Sequence, residues 1–262
     1  MWEFVKIAIE SGVGRLTLSR PDKRNALKRE FIEEIRQGID ELQADPGLRV
    51  FLLESEGSVF CAGMDLAEMQ QRAESEQGQE EWQQDSQVFA DTLTALYELP
   101  VPTIAVVQGP VLAGGMGLVL ACDMILASEE AFFMLPEPAR GITASMVTPF
   151  LIHRVGSGPA TYMLLSGERI SSENARNFGL CHDVVTSAKL KARSQKLVNA
   201  VLTGSRSALA ITKQHINQCA PTDVLADLKK SIHVSARARE TEDAREGLAA
   251  FLEKRKPNWQ PE

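Results

Sequence analysis

No apolar stretch in this chain approaches the ~18 to 20 uninterrupted residues that a membrane-spanning helix needs, and charge already interrupts the opening MWEFVKIAIE. A basic surplus is missing too: 28 Lys and Arg stand against 35 Asp and Glu, a net charge of -7. That balance argues against a general binder of nucleic acid or of anionic membranes, while leaving room for a local basic patch that holds a phosphate. The four cysteines, Cys61, Cys122, Cys181 and Cys219, include no CxxC pair and follow no secretory leader, so reduced thiols in a cytoplasm are expected. His153, His215 and His233 stand singly without ligand spacing, and no metal is expected. What is there is 262 residues, 44% hydrophobic and 24% charged, enough for a sizeable core in one large domain or in one domain with an appendage.

Alternation of apolar and polar residues in WEFVKIAIE, a turn at SGVG and renewed alternation in RLTLSR predict a hairpin over the first twenty residues. Phe31, Ile35, Ile39 and Leu42 recur at helical spacing between Lys28 and Gln43, ADPG ends that helix, and 50–55 reads as a short apolar strand. The Glu- and Gln-rich stretch 64–81 has few large apolar residues and reads as solvated and mobile, in part helical. A helix from about Asp85 to Leu99 stops at LPVP, and 103–107 is a buried strand. MILAS (124–128) is another strand, AFFMLPEPARGI is irregular around its prolines, and helices run from Ser145 almost without a break. Strands fill the first two-thirds and helices the last third, which puts a soft boundary near residue 195, between 1–195 and 196–262.

The run GPVLAGGMGLVLACD, Gly109 to Asp123, spends glycine where a buried helix should begin. Glycine costs about 1 kcal/mol against alanine inside a helix. Two reasons could justify it: close packing of backbone on backbone, or a bare N–H facing a ligand. Gly114 and Gly115 fall in the first helical turn, whose N–H groups have no partner within the helix. GxGxxG is absent, so a dinucleotide turn is not indicated. FCAGMDL, 60–66, is a second small-residue turn after a strand and offers the N–H of Met64. Two such donors on separate loops can share one carbonyl oxygen, and each is typically worth about 2.7 to 4 kcal/mol in a transition state.

RNAL (24–27), FCAGMDL, VPTIAVVQGPVLAGGMGLVLACDMILAS, the PE of LPEPARGI, SGERISSENARNFGLCHDVV and FLEKRKP together resemble the crotonase superfamily of enoyl-CoA hydratases and isomerases, in register over most of the chain. The resemblance implies an α/β fold: a spiral of strand-strand-helix units followed by a helical C-terminal region used for trimer or hexamer assembly. It implies an acyl-CoA substrate, with coenzyme A part of that substrate and no further cofactor. It places Met64 and Gly114 as the oxyanion-hole donors to the thioester oxygen. It also places backbone groups of Ala62, Asp65 and Leu66 at the adenine pocket, Arg24 and Ala26 at the coenzyme A entrance, and Phe251 and Lys254 at the nucleotide end, there sometimes from a neighbouring subunit.

By the same resemblance, two-carboxylate hydratases carry one glutamate three residues after the oxyanion glycine and a second in the PE motif. Here the first position is Gly117 and the second is Glu137, held between Pro136 and Pro138. An apolar loop raises a carboxyl pKa by desolvation, as an acid or base requires. A lone acid suits a Δ3,Δ2-enoyl-CoA isomerase, while the block from Gly114 through TPFLIHRVG is similar to hydratases of branched enoyl-CoAs that also have glycine there. Hydration of a 2-enoyl-CoA is carried forward, with isomerisation, other crotonase chemistry and a non-catalytic acyl-CoA binder as alternatives. Cys61 reads as a small residue rather than a nucleophile. Cys181, His182 and Asp183 read as a structural strand start rather than a triad, and Asp65 and Asp123 as caps.

Overall fold

A computed structural model describes residues 2–73 and 78–260. The hairpin forms as the alternation predicts: β1 (Val5–Glu10) pairs antiparallel with β2 (Val13–Leu18). Ser11 and Gly12 connect them with φ of 51° and 81°, the doubly left-handed turn whose twist matches two antiparallel strands. In α1 (Arg29–Ala44) the stripe Phe31, Ile35, Ile39 and Leu42 is buried in the core, and β3 (Val50–Ser55) then joins β2 in parallel.

The polar stretch 64–81 is in part helical, as expected, but it is less solvated than its composition suggests. It forms α2 (Leu66–Ala73) and the first turn of α3 (Gly78–Glu98), which begins seven residues before the predicted Asp85; residues 74–77 lie outside the described residues. Single large side chains anchor these helices, Met69 in α2 and Trp82 in α3, both 5% exposed. Several charges are not wet. Arg72 pairs with Glu68 at 2.7 Å and with Asp85, and Asp85 also meets Arg29 at 2.6 Å.

Further on come β4 (Thr103–Val107), β5 (Val111–Leu112), α4 (Gly114–Leu120), β6 (Met124–Ser128) and β7 (Phe132–Met134). A 3-10 turn, Glu137–Arg140, follows β7, so the irregular AFFMLPEPARGI contains two short ordered elements. After α5 (Thr148–Val155), α6 (Ser157–Ser166), β8 (Ile170–Ser171), α7 (Ser172–Asn177) and β9 (Asp183–Val185), the chain is helical. Its remaining helices are α8 (Ser187–Leu202), α9 (Arg206–Cys219), α10 (Val224–Arg239) and α11 (Glu242–Leu252). Residue 195 falls inside α8, so the composition shift there does not coincide with a linker.

Two sheets result, one ordered β1-β2-β3-β4-β6-β9 and a smaller one ordered β5-β7-β8. The chain passes from β4 in the first to β5 in the second, returns through α4 to β6, and crosses again to β7. Each lap is a strand-strand-helix turn of a spiral. Cys61, beyond β3, bridges Val111 in parallel, so the lap through β3 stacks on the lap through β4. Asn25 ties the entry turn to this stack: its Nδ2 donates to the carbonyls of Glu56, Val59 and Phe60 at 2.9 to 3.1 Å.

The last helix packs on the turn that carries Glu137. A Cβ at Gly247 in α11 would overlap the backbone of Arg140, and one at Gly141 would overlap the Asp243 carbonyl. Gly247→Ala would gain about 1 kcal/mol in helix propensity, yet the overlap should dominate. The expected outcome is a net loss of ~1–3 kcal/mol in urea unfolding, and an unchanged or raised midpoint would show that the contact yields without cost.

Candidate functional site

Three strand ends finish side by side. Cys61 pairs with Val111, and Val111 with Phe133, so the turns at 62–64, 112–114 and 134–137 leave the spiral at one level. They are also close. A Cβ at Gly63 would stand 2.6 Å from the Ala113 Cβ and 3.2 Å from the Gly114 nitrogen, and Gly63 has φ of 87°. Here glycine is required both for the bend and for the approach.

Local pairing decides which amides remain free. Leu27 bridges Met64 in parallel: its N–H donates to the Gly63 carbonyl, and its carbonyl accepts the Asp65 N–H, both at 2.8 Å. That pattern uses the peptides on either side and turns the Met64 N–H the other way. In the neighbouring turn the Leu112 N–H donates to Cys61 at 2.9 Å and the Ala113 N–H to Met134 at 3.0 Å, leaving Gly114 as the first residue of α4. Ala113 takes φ 49° and ψ -126°, a conformation that strains any residue bearing a Cβ. Among the described residues neither the Met64 nor the Gly114 N–H has a hydrogen-bond acceptor.

Glu137 opens the 3-10 turn between its prolines and is 6% exposed. Its Oε2 has no hydrogen-bond partner among the described residues. Burial pushes the carboxyl up to about 7, against smaller opposing pulls from its own backbone N–H and from Arg140. Burial in turn lowers the Arg140 guanidinium, which lies 4.3 Å from the Phe251 ring centre.

These groups line one cavity of about 730 Å³. Met64, Gly114, Glu137, Arg24, Ala26, Ala62, Asp65, Leu66 and Phe251 all border it; Lys254 does not. Phe89, Arg140, Asp85, Ser86, Ser235 and Arg239 also border it and were not anticipated. Arg140 had a signal, one 3-10 turn after Glu137. Arg239 had a fainter one: it continues the buried face Val224, Leu228, Ser231, Ile232, Ser235 of α10, where an arginine is out of place.

The rival groups are occupied elsewhere. Cys61 is buried with its thiol pushed up to about 12 by desolvation, and its Sγ donates to the Asn25 carbonyl at 3.2 Å. His182 Nδ1 accepts the Ile125 N–H at 3.0 Å and Asp183 pairs with Arg193 at 2.5 Å. Asp65 caps α2 through the Ala67 N–H and meets Arg20 at 2.9 Å, while Asp123 joins Thr103 and Lys213. Among the described residues no group of three or more His, Cys, Asp or Glu could hold a metal ion, and no helix is long and apolar enough to cross a membrane.

The family model described as enoyl-CoA hydratase/isomerase matches residues 8–262. The chain belongs to the enoyl-CoA hydratase/isomerase family. It is similar to the mitochondrial enoyl-CoA hydratase domain-containing protein 3 of Xenopus laevis, 32% identical over 250 residues, which cover 95% of this chain and 84% of that one. Among solved structures, an enoyl-CoA hydratase from Mycobacterium avium is 32% identical with a TM-score of 0.87, covering 99% of this chain and 100% of its own. An enoyl-CoA hydratase/isomerase from Xanthobacter autotrophicus Py2 is 29% identical with a TM-score of 0.88 over the full length of both. The spiral and its helical C-terminal region are therefore the fold of this hydratase/isomerase family.

In this family member the helix position three residues after Gly114 is not an empty site. A Cβ at Gly117 would stand 3.2 Å from Phe89 Cζ and 3.3 Å from Leu93 Cδ1, so α3 fills the space a side chain would take. Glu137 is left as a buried carboxyl without an ion pair among the described residues, bordering the same cavity as the unspent amides.

The burial of Glu137 sets a pH dependence of stability. Its folded pKa, about 7, lies above the ordinary carboxyl value of 4.5, so the folded protein holds this proton more tightly than the unfolded chain. The resulting stability is complete below the unfolded value and is lost as pH rises through about 7. Glu137→Gln should therefore gain on the parent between pH 4.5 and 8, by on the order of 3 kcal/mol, in parallel urea titrations. A constant difference across that range would mean the carboxyl is not perturbed.

Proposed function

We propose that this chain hydrates a 2-enoyl-CoA thioester, with the Met64 and Gly114 N–H groups holding the thioester oxygen and Glu137 as its one acid and base. The observation that carries the reading is two backbone donors without acceptors on adjoining turns, bordering the same cavity as a buried carboxyl with a free oxygen.

In this mechanism ionised Glu137 takes a proton from water as the water oxygen bonds to C3 of the substrate. The C2=C3 electron pair moves toward the thioester, whose oxygen becomes the enolate oxyanion between the two amides. Glu137 then returns its proton to C2, and one water has been added overall. A carboxyl near neutrality suits both halves of this cycle, since it must accept and then release a proton. Arg24, Ala26, Ala62, Asp65 and Leu66 would receive the nucleotide and pantetheine from the cavity mouth, with Phe251 near that end. Lys254, outside the lining, would reach coenzyme A only across a subunit boundary.

Isomerisation of a 3-enoyl-CoA is the second reading, favoured by the packing of Phe89 and Leu93 over Gly117. A single carboxylate can remove a proton at C2 and return it at C4 without positioning water. Assembly into a trimer or hexamer is part of the proposal, supported by the exposed apolar side chains Leu165, Ile211 and Ile216. The four free cysteines suit a reducing compartment such as the cytoplasm.

Two assays test the chemistry: loss of conjugated absorbance from a 2-enoyl-CoA, and its gain from a 3-enoyl-CoA. Hydration predicts turnover of the first; activity on the second alone would establish isomerisation instead. Glu137→Gln should lower kcat at least ~100-fold in a folded protein. Because the base must be ionised, kcat/KM of the parent should rise with pH through about 7. A pH-independent rate, or a folded Glu137→Gln protein with full activity, would remove Glu137 from the reaction.

A further inference from the structure

The charges around the inner wall of the cavity do not balance. Asp85 and Arg239 border it, and Arg29, Arg72 and Glu68 come together behind them. Arg29 and Arg72 divide the two carboxylates between them. Arg239 is 9% exposed, borders the cavity, and has neither an ion pair nor a hydrogen-bond acceptor among the described residues. Desolvation, with the nearby Arg72 as a second cause, pushes this guanidinium down to about 10. A buried charge without a partner is costly, and a ligand carboxylate would supply the partner this one lacks.

Its place relative to the reacting centre follows from helix geometry. The missing Cβ of Gly114 would stand 3.6 Å from Phe89 Cζ, so Phe89 adjoins the thioester position. Ser86 lies one turn before Phe89 on α3, and its Oγ donates to Ser235 Oγ on α10 at 3.2 Å. Arg239 is about one turn beyond Ser235, about 6 Å along the helix. The coenzyme A side, at Arg24 and Ala62, belongs to other elements: the entry turn and the turn after β3.

We propose that the acyl end of this cavity receives an acyl chain bearing its own terminal carboxylate, and that Arg239 is the group that binds it. The inference rests on the acyl-CoA reading above and narrows it to thioesters of dicarboxylic acids. A guanidinium and a carboxylate make two parallel charge-assisted hydrogen bonds, which would supply the missing counter-charge and fix the position of C2 and C3 over Glu137. Ser235, whose hydroxyl accepts from Ser86 and keeps its own proton, can donate to a remaining lone pair of such a carboxylate.

Saturated thioesters test this without turnover. Calorimetry would compare glutaryl- and adipyl-CoA with the matching terminal amides, and with butyryl-CoA and free coenzyme A, on the parent and on Arg239→Met. The expected result is a carboxylate preference of about tenfold or more in the parent for at least one chain length, erased in Arg239→Met. Thermal unfolding checks that the variant is folded; removal of an uncompensated buried cation should leave its Tm equal or higher. Equal binding of carboxylate and amide at both lengths, or a preference that survives Arg239→Met, would overturn the assignment. Weaker binding of free coenzyme A by Arg239→Met would overturn it too, and would place a coenzyme phosphate at the arginine. If no thioester binds, butyryl-CoA included, the acyl-CoA reading falls as well, an outcome distinct from equal binding.

Discussion

Successive laps of the spiral end in register, and everything chemical in this protein depends on that register. Cys61 beside Val111 beside Phe133 sets three turns at one height, and the hydrogen bonds that hold the turns together spend the N–H groups of Ala62, Asp65, Leu112 and Ala113 while leaving those of Met64 and Gly114 without acceptors among the described residues. A sheet normally consumes its amides. Here Leu27 takes the peptides flanking Met64, and the change from β5 to helix occurs at Gly114, so two donors survive inside a packed core. The strained Ala113 and the close approach at Gly63 are the costs of that arrangement.

Around this centre the packing governs protonation. Glu137 owes its near-neutral pKa to burial, and the burial depends on α11, whose Gly247 lets it lie directly on the turn from Glu137 to Arg140. The C-terminal helices are thus part of the site as well as of the fold. Phe251 of α11 borders the cavity against Arg140, and α10 brings Arg239 to its far wall. Gly117, packed by Phe89 and Leu93, shows the same coupling from the other side: the residue that adds no carboxyl to the site also lets α3 approach α4.

Much of this was legible in the sequence, for identifiable reasons. Period-two alternation gave the hairpin, the spacing of Phe31, Ile35, Ile39 and Leu42 gave α1, and the prolines around Glu137 marked a fixed carboxyl in an apolar loop. The burial of charge in the stretch 64–81 was not legible because Glu68 and Arg72 pair with each other and Arg72 with Asp85, and pairing across helices leaves no periodic trace. Phe89 and Leu93 read only as helix core, and nothing local says they cover Gly117. Arg239 sits in the string ARARE, which looks like a solvated face; its burial follows from α10 packing on α3, a tertiary fact.

The central claim is that two backbone amides polarise one thioester carbonyl beside Glu137. Isotope-edited infrared spectroscopy of a bound, carbonyl-labelled acyl-CoA reads this directly. The account predicts a carbonyl stretch shifted to lower frequency than for the same thioester in water, because two fixed donors in a water-poor cavity weaken the bond more than solvent does. A stretch at or above the aqueous frequency for a thioester bound with full occupancy would contradict it.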